Sequence, residues 1–214
     1  IKVLFAFFVL LQISLQTVDG RDSGTKKIVS LLQKAEAVSA VSGQNALVYA
    51  DSALLLARLS DNVGYQMAAL RIVVQTNLYI GDYNACIDAA DKLERLANTA
   101  RNEKYRMYAC IGLGQANIMK DNYNVAKSSL DSAYVLANKL QNDSALCSVY
   151  NGLGLYHTNV DANYYKAIEY YLKGIKAAER SSYERLYSLL LCNLSDATSG
   201  DISSISLILS ILVQ

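Results

Sequence analysis

Four cysteines, one histidine and two Gly-Leu-Gly triplets are the residues of this chain whose types could support chemistry. Cys86, Cys110, Cys147 and Cys192 are separated by 24, 37 and 45 residues, which fits neither the short spacing of zinc ligands nor a redox pair. Disulfides between them would be chemically open in an oxidising compartment. Each cysteine, however, falls where the repeat described below wants a small apolar residue, so all four are expected to be buried packing residues with free thiols. His157 has no Cys-His or Ser-His-Asp pairing that spacing supports, and a ring packed between helices is expected of it rather than a ligand or a proton carrier. The triplets ending at Gly114 and Gly154 lack the third glycine of a dinucleotide fingerprint, because Asn117 and His157 stand there, and no strand precedes them. Catalysis would need two groups with tuned pKa values in one cleft, and no such constellation is present in the sequence. The expectation is a protein that is not an enzyme, with no cofactor and no metal.

The remaining composition narrows the class. Of 214 residues, 52% are apolar, and 20 basic side chains face 19 acidic ones, which excludes a disordered chain and a polybasic nucleic-acid binder. There are 16 tyrosines, no tryptophan and no proline, and the three phenylalanines are Phe5, Phe7 and Phe8. Residues 1–20 carry one lysine, an unbroken apolar run from Val3 to Leu11 and a polar stretch ending at Gly20, the layout of a secretory signal peptide. The run falls short of the roughly 20 residues that a membrane span needs. The rest of the chain, 21–214, is therefore expected outside the cytoplasm, periplasmic or associated with the outer side of a membrane. Ile202 to Val213 is apolar again, and two readings stay open for it: the second helix of a fifth repeat, or the start of a membrane helix that would attach the protein. The chain is read as a fragment at both ends.

Between these ends lies one unit repeated at a spacing of forty. The segments starting at Gly81, Asp121 and Asn163 superimpose with tyrosines at Tyr83, Tyr123 and Tyr164, while Ala46, Cys86, Ala126 and Ala167 follow one another at 40, 40 and 41 residues. Self-similarity at that period marks a repeat array of about four to five units. Apolar residues within a unit recur at helical spacing, as in Leu130, Ala133, Leu136 and Ala137. Each unit breaks at a short polar segment: Gly81-Asp82, Lys120-Asp121-Asn122, and a longer one from Thr158 to Asn163. A helix pair joined in this way cannot bury its apolar stripe alone, so successive pairs must stack.

On these residues the chain resembles the tetratricopeptide repeat family, whose pattern puts Leu-Gly in the first helix and small-large-small residues in the second. The third unit matches with Leu113, Gly114, Tyr123, Ala126, Leu130 and Ala133. The fourth matches with Leu153, Gly154, Tyr164 or Tyr165, Ala167 and Tyr171, although Gly174 replaces the last small residue. The second unit is looser, with Val73-Val74, Cys86, Ala90 and Leu93. The first keeps Ala46, Ala50 and Ala53, and a fifth begins at Asn193-Leu194-Ser195. The family's terminal proline is absent, and the units exceed its usual length of about 34 residues, which longer helices explain. A HEAT-type helical solenoid is the structural alternative. Gly114 and Ala126 are expected where the two helices of a pair come closest, and Gly154, Ala133 and Ala167 are the corresponding structural positions.

The resemblance implies an all-α, right-handed α-solenoid of antiparallel helix pairs in which the first helices line a concave groove. Laying that geometry on the chain puts Arg71, Gln75, Tyr79, Tyr108, Gln115, Met119, Asn151 and Leu155 on the groove, with Lys127 and Glu169 on the convex face. The implied function is a protein-protein interaction scaffold whose partner is a protein or peptide and not a nucleic acid. Lacking paired lysines and asparagines, the groove is not expected to hold a C-terminal carboxylate of the chaperone type. The alternative is the extracytoplasmic sensor portion of a membrane-anchored regulator, because the phrases starting at Tyr49 and Ser129 are similar to the exported repeat segments of Bacteroidetes-type regulators.

Overall fold

A computed structural model describes residues 23–198. The segment 1–20, read from the sequence as a signal peptide, and the apolar stretch 202–213 lie outside the described residues. Within them every regular element is an α-helix. Helix α1 covers residues 23–38. It is followed by α2 (Gly43–Leu59), α3 (Val63–Ile80), α4 (Tyr83–Thr99), α5 (Glu103–Met119), α6 (Tyr123–Lys139), α7 (Asp143–Asn159), α8 (Tyr164–Ser181) and α9 (Glu184–Thr198). The protein is an all-α, solenoid-like repeat in which consecutive helices pack against each other.

The helices stop and start where they do because of one recurring short turn of two to four residues. Its last residue is a capping residue, and the series Ser42, Asn62, Asp82, Asn102, Asn142 and Asn163 accepts, with its side-chain oxygens, the backbone N–H three residues ahead. Each such bond satisfies one of the donors that a helix N-terminus leaves open. From Asn62 onward the residue before the cap is left-handed: Asp61, Gly81, Arg101, Asp121, Gln141 and Ala162, with Ser182 ahead of α9. That conformation lets the cap's own N–H reach back to the preceding helix, as in Asn62 to the Ala57 carbonyl (2.8 Å), Asn102 to Ala97 (2.8 Å) and Asn142 to Ala137 (3.0 Å). The turn between α7 and α8 carries one extra residue, and there Asn163 reaches the His157 carbonyl at 2.9 Å. The forty-residue period of the sequence is therefore two copies of a twenty-residue helix and turn.

The chain divides into two compact units, 1–76 and 77–214, at a point inside α3. In the first, Ala35, Ala50 and Ile72 form a small core with Leu32, Tyr49 and Val73 packed against it. In the second, a continuous core includes Met107, Leu130, Leu153, Tyr171 and Leu190. The small positions read from the sequence, Ala126, Ala133 and Ala167, are fully buried there. The residue of α6 nearest Gly114 is Leu130, and the same Leu130 side chain also fills the space beside Gly152 of α7. One turn of the repeat later, the Tyr171 ring lies against Gly154. Gly114, Gly152 and Gly154 of the Gly-Leu-Gly triplets thus leave room for large residues of second helices.

Candidate functional site

In the second unit, alternate helices touch along one row only. Helix α5 packs on α7 and α7 on α9, whereas α6 and α8 make no comparable contact with each other. A row of alternate helices in contact is the inner side of a curve, and the helices splayed apart are its outer side. The first helix of each pair therefore lies inside.

Polar side chains tie this inner row together. Gln115 Nε2 of α5 donates to the Ser148 carbonyl of α7 at 2.7 Å, and Asn193 Nδ2 of α9 donates to Asn151 Oδ1 of α7 at 2.8 Å. Asn151 is thereby buried, with 4% of its surface exposed, so it braces the wall rather than presenting a surface. Tyr108 and Leu155 are half-buried against the core, and Met119 is exposed at the end of α5. Tyr79, in the last turn of α3, has its hydroxyl 2.8 Å from that of Tyr183, and the Arg185 guanidinium stacks 3.6 Å above its ring. In the first unit, Arg71 is ion-paired with Glu36 and donates to Gln75 Oε1 at 3.2 Å. Arg71 and Gln75 are thus brought together, but in a contact that already engages the arginine. Lys127 and Glu169 lie on α6 and α8, exposed and paired with Asp131 and Lys173 on their own helices.

Sequence reasoning missed Tyr183, Arg185 and Ser148. One signal pointed to the first: tyrosine stands at position 183, where every earlier turn puts Ser, Asn or Asp. A contact between residues 104 apart leaves no periodic trace of its own.

The chemistry-bearing residues have structural surroundings. His157 is buried, stacked on Tyr170 with ring centroids 5.5 Å apart and planes at 2°, and its Nδ1 lies 2.7 Å from Asp161. It holds the turn after α7 as Asn117 holds the turn after α5, where Asn117 Oδ1 accepts from Asn122 at 3.1 Å. Cys86, Cys110 and Cys147 are buried free thiols. Burial pushes the Cys86 and Cys147 thiols up to about 12, and burial with nearby Glu94 pushes Cys110 up to about 11. Cys192 corrects the expectation of four buried thiols, because it is exposed on α9. Its counterpart one repeat earlier is Asn151, which is buried because α9 lies over it. Among the described residues no group of three His, Cys, Asp or Glu side chains is placed to hold a metal ion, and no helix is long and apolar enough to cross a membrane.

No protein-family model matches the chain, and no curated protein matches it.

Proposed function

We propose that this protein is a non-enzymatic scaffold of tetratricopeptide-like repeats, exported from the cytoplasm, that binds a protein or peptide along the inner row of its helices. The observation that carries this reading is the contact pattern of α5, α7 and α9 in the second unit; Tyr108 and Leu155, half-buried, and Met119, exposed, lie on α5 and α7 of that row. Tyrosine with an apolar body and a polar tip suits such a surface, and energetic anchors favour sheltered positions. Arg71 is held by Glu36, and half-buried Tyr108 is the residue whose truncation tests the reading.

The test is a pull-down from the exported fraction with residues 21–214 as bait, followed by calorimetry on variants with the protein it retains. Tyr108→Ala is expected to weaken binding by at least about 1 kcal/mol, and Lys127→Ala, on the outer side, to change it by less than about 0.5. Equal losses, or a loss at Lys127 alone, would move the site off the inner row.

A further inference from the structure

Tyr150 of α7 stands between two helices that do not touch each other. Its ring centroid lies 6.0 Å from that of Tyr134 on α6 and 6.2 Å from that of Tyr170 on α8. Both α6 and α8 pack on α7, yet their backbones make no contact with one another. At Gly174 of α8 a β-carbon would come within 3.3 Å of Tyr150 Cβ, so the missing side chain lets α8 close on the base of this tyrosine. Burial, with Tyr134 next to it, pushes the Tyr150 phenol up to about 12, as expected of a ring held between helices rather than turned out to water.

One repeat earlier the same two positions hold Glu94 of α4 and Cys110 of α5, with the cysteine sulfur 3.9 Å from the carboxylate. The contact recurs, but a thiol stands where Tyr150 carries a ring. The joints between successive helix pairs differ accordingly. The backbones of α4 and α5 run close together along more of their length than those of α6 and α7, which make the least extensive approach of the joints α4–α5, α6–α7 and α8–α9. The spacing of packed helices follows the side chains at their contact, over a range of about 8–10 Å between axes.

We infer that Tyr150 is a strut: wedged between Tyr134 and Tyr170, it sets how far α6 and α8 stand apart and so how widely the joint between α6 and α7 is opened. One side chain suffices, because its ring bears on both outer helices while its backbone belongs to the helix on which they pivot. A joint with little backbone in close approach depends the more on the few side chains that fill it. The strut belongs to the second unit alone and acts without a partner.

Distances between spin labels test it. Val135→Cys on α6 and Lys176→Cys on α8 are at exposed positions, and the labels go into a chain whose exposed Cys192 is replaced by serine. The three buried thiols stay protonated and unlabelled at neutral pH. Tyr150→Ala is expected to shorten the mean distance by about 3 Å as α6 and α8 close, and Tyr150→Phe, which keeps the ring, to leave it unchanged. A second pair, Val135→Cys with Arg95→Cys at an exposed position of α4, should not move with Tyr150→Ala. An unchanged distance between α6 and α8 overturns the strut. A shift of equal size in both label pairs overturns it as well, since that is general loosening, and so does equal shortening by Tyr150→Phe, which would assign the spacing to the hydroxyl. Far-ultraviolet circular dichroism checks that the helices persist. Should Tyr150→Ala lose helicity, Tyr134→Ala removes an exposed ring from one side of the strut and must still shorten the distance between α6 and α8. Failure there overturns the strut equally.

Discussion

The Leu130 side chain occupies the space that a β-carbon would take at Gly114: built there, that atom would lie 2.6 Å from Leu130 Cγ and 3.3 Å from the Leu130 backbone nitrogen. The first contact could yield by a change of rotamer, but the second is backbone and can yield only if α5 and α6 separate. Gly114→Leu is therefore expected to destabilise by about 1–3 kcal/mol, and Ala126→Leu, at a fully buried alanine, by a similar amount. Gly114→Ala separates the causes, because its helix propensity gain of about 1 kcal/mol opposes the clash. Leu130→Ala alone should cost about 2–5 kcal/mol through the cavity it leaves. Combined with Gly114→Ala it should cost less than the sum, the new methyl entering vacated space. Urea melts of the four proteins check this, and strictly additive losses would mean that the two positions do not share the space.

The turns carry strain that glycine would remove. Gln141 at φ 49° and Ala162 at φ 47° sit in the left-handed region, where a β-carbon crowds the backbone. Only Gly81 in this series of turns is a glycine. Gln141→Gly and Ala162→Gly are each expected to raise stability by about 0.5–1 kcal/mol, the relief exceeding the entropy that glycine adds to the unfolded chain. A lower denaturation midpoint in both would show that the turns are not strained.

The repeat was legible because its signals are local. Ala126, Leu130 and Ala133 lie on one face of one helix, and the polar breaks fall at the turns that the structure shows. The twenty-residue half-period was equally present in Asn62, Asp82, Asn102, Asn122 and Asn142, yet capping asparagines resemble ordinary polar residues until their N–H acceptors are known. Cys192 illustrates the opposite limit. Its place in the repeat is a buried one, but burial depends on a neighbouring helix, and α9 has α7 and α8 against it among the described residues. The surface was the least legible part. Asn151 and Arg71 read as groove residues by position, and only their partners Asn193 and Glu36, 42 and 35 residues away, show that they are already engaged.

The thiols should separate into one and three. At pH 8, with the protein folded, a disulfide-exchange reagent is expected to modify Cys192 quickly and the other three slowly, because reaction needs exposure and a thiolate. In denaturant all four should react, and two or fewer would establish a disulfide. The same burial makes stability depend on pH. Cys86, Cys110 and Cys147 have folded-state pKa values of about 11–12 against 9.0 for an unperturbed thiol. The unfolded chain therefore loses these protons first as pH rises. The contribution is complete below about pH 9 and is lost between there and about pH 12. The urea midpoint should fall from pH 8 to pH 10.5, and Cys86→Ala should flatten that fall. An identical fall in the variant would assign it to the tyrosines instead, since Tyr150 is also pushed up to about 12 by burial and by Tyr134.

His157, buried at the end of α7, tests whether a histidine there is kept for its ring or for its nitrogen. Its ring stacks on Tyr170 and meets Tyr156 edge-on, with centroids 5.5 Å apart in both cases, while its Nδ1 reaches Asp161. Phenylalanine keeps the two ring contacts and gives up the bond, and the Asp161 carboxylate is exposed enough to be taken up by water. His157→Phe is therefore expected to cost less than about 1 kcal/mol, the range of a single net hydrogen bond. His157→Ala removes the ring as well and opens a cavity beside Tyr170, for which about 2–4 kcal/mol is expected. Thermal melts at pH 7 check the order. A larger loss from phenylalanine than from alanine would show that the tie between His157 and the turn at Asp161, not ring packing, holds α7 against α8.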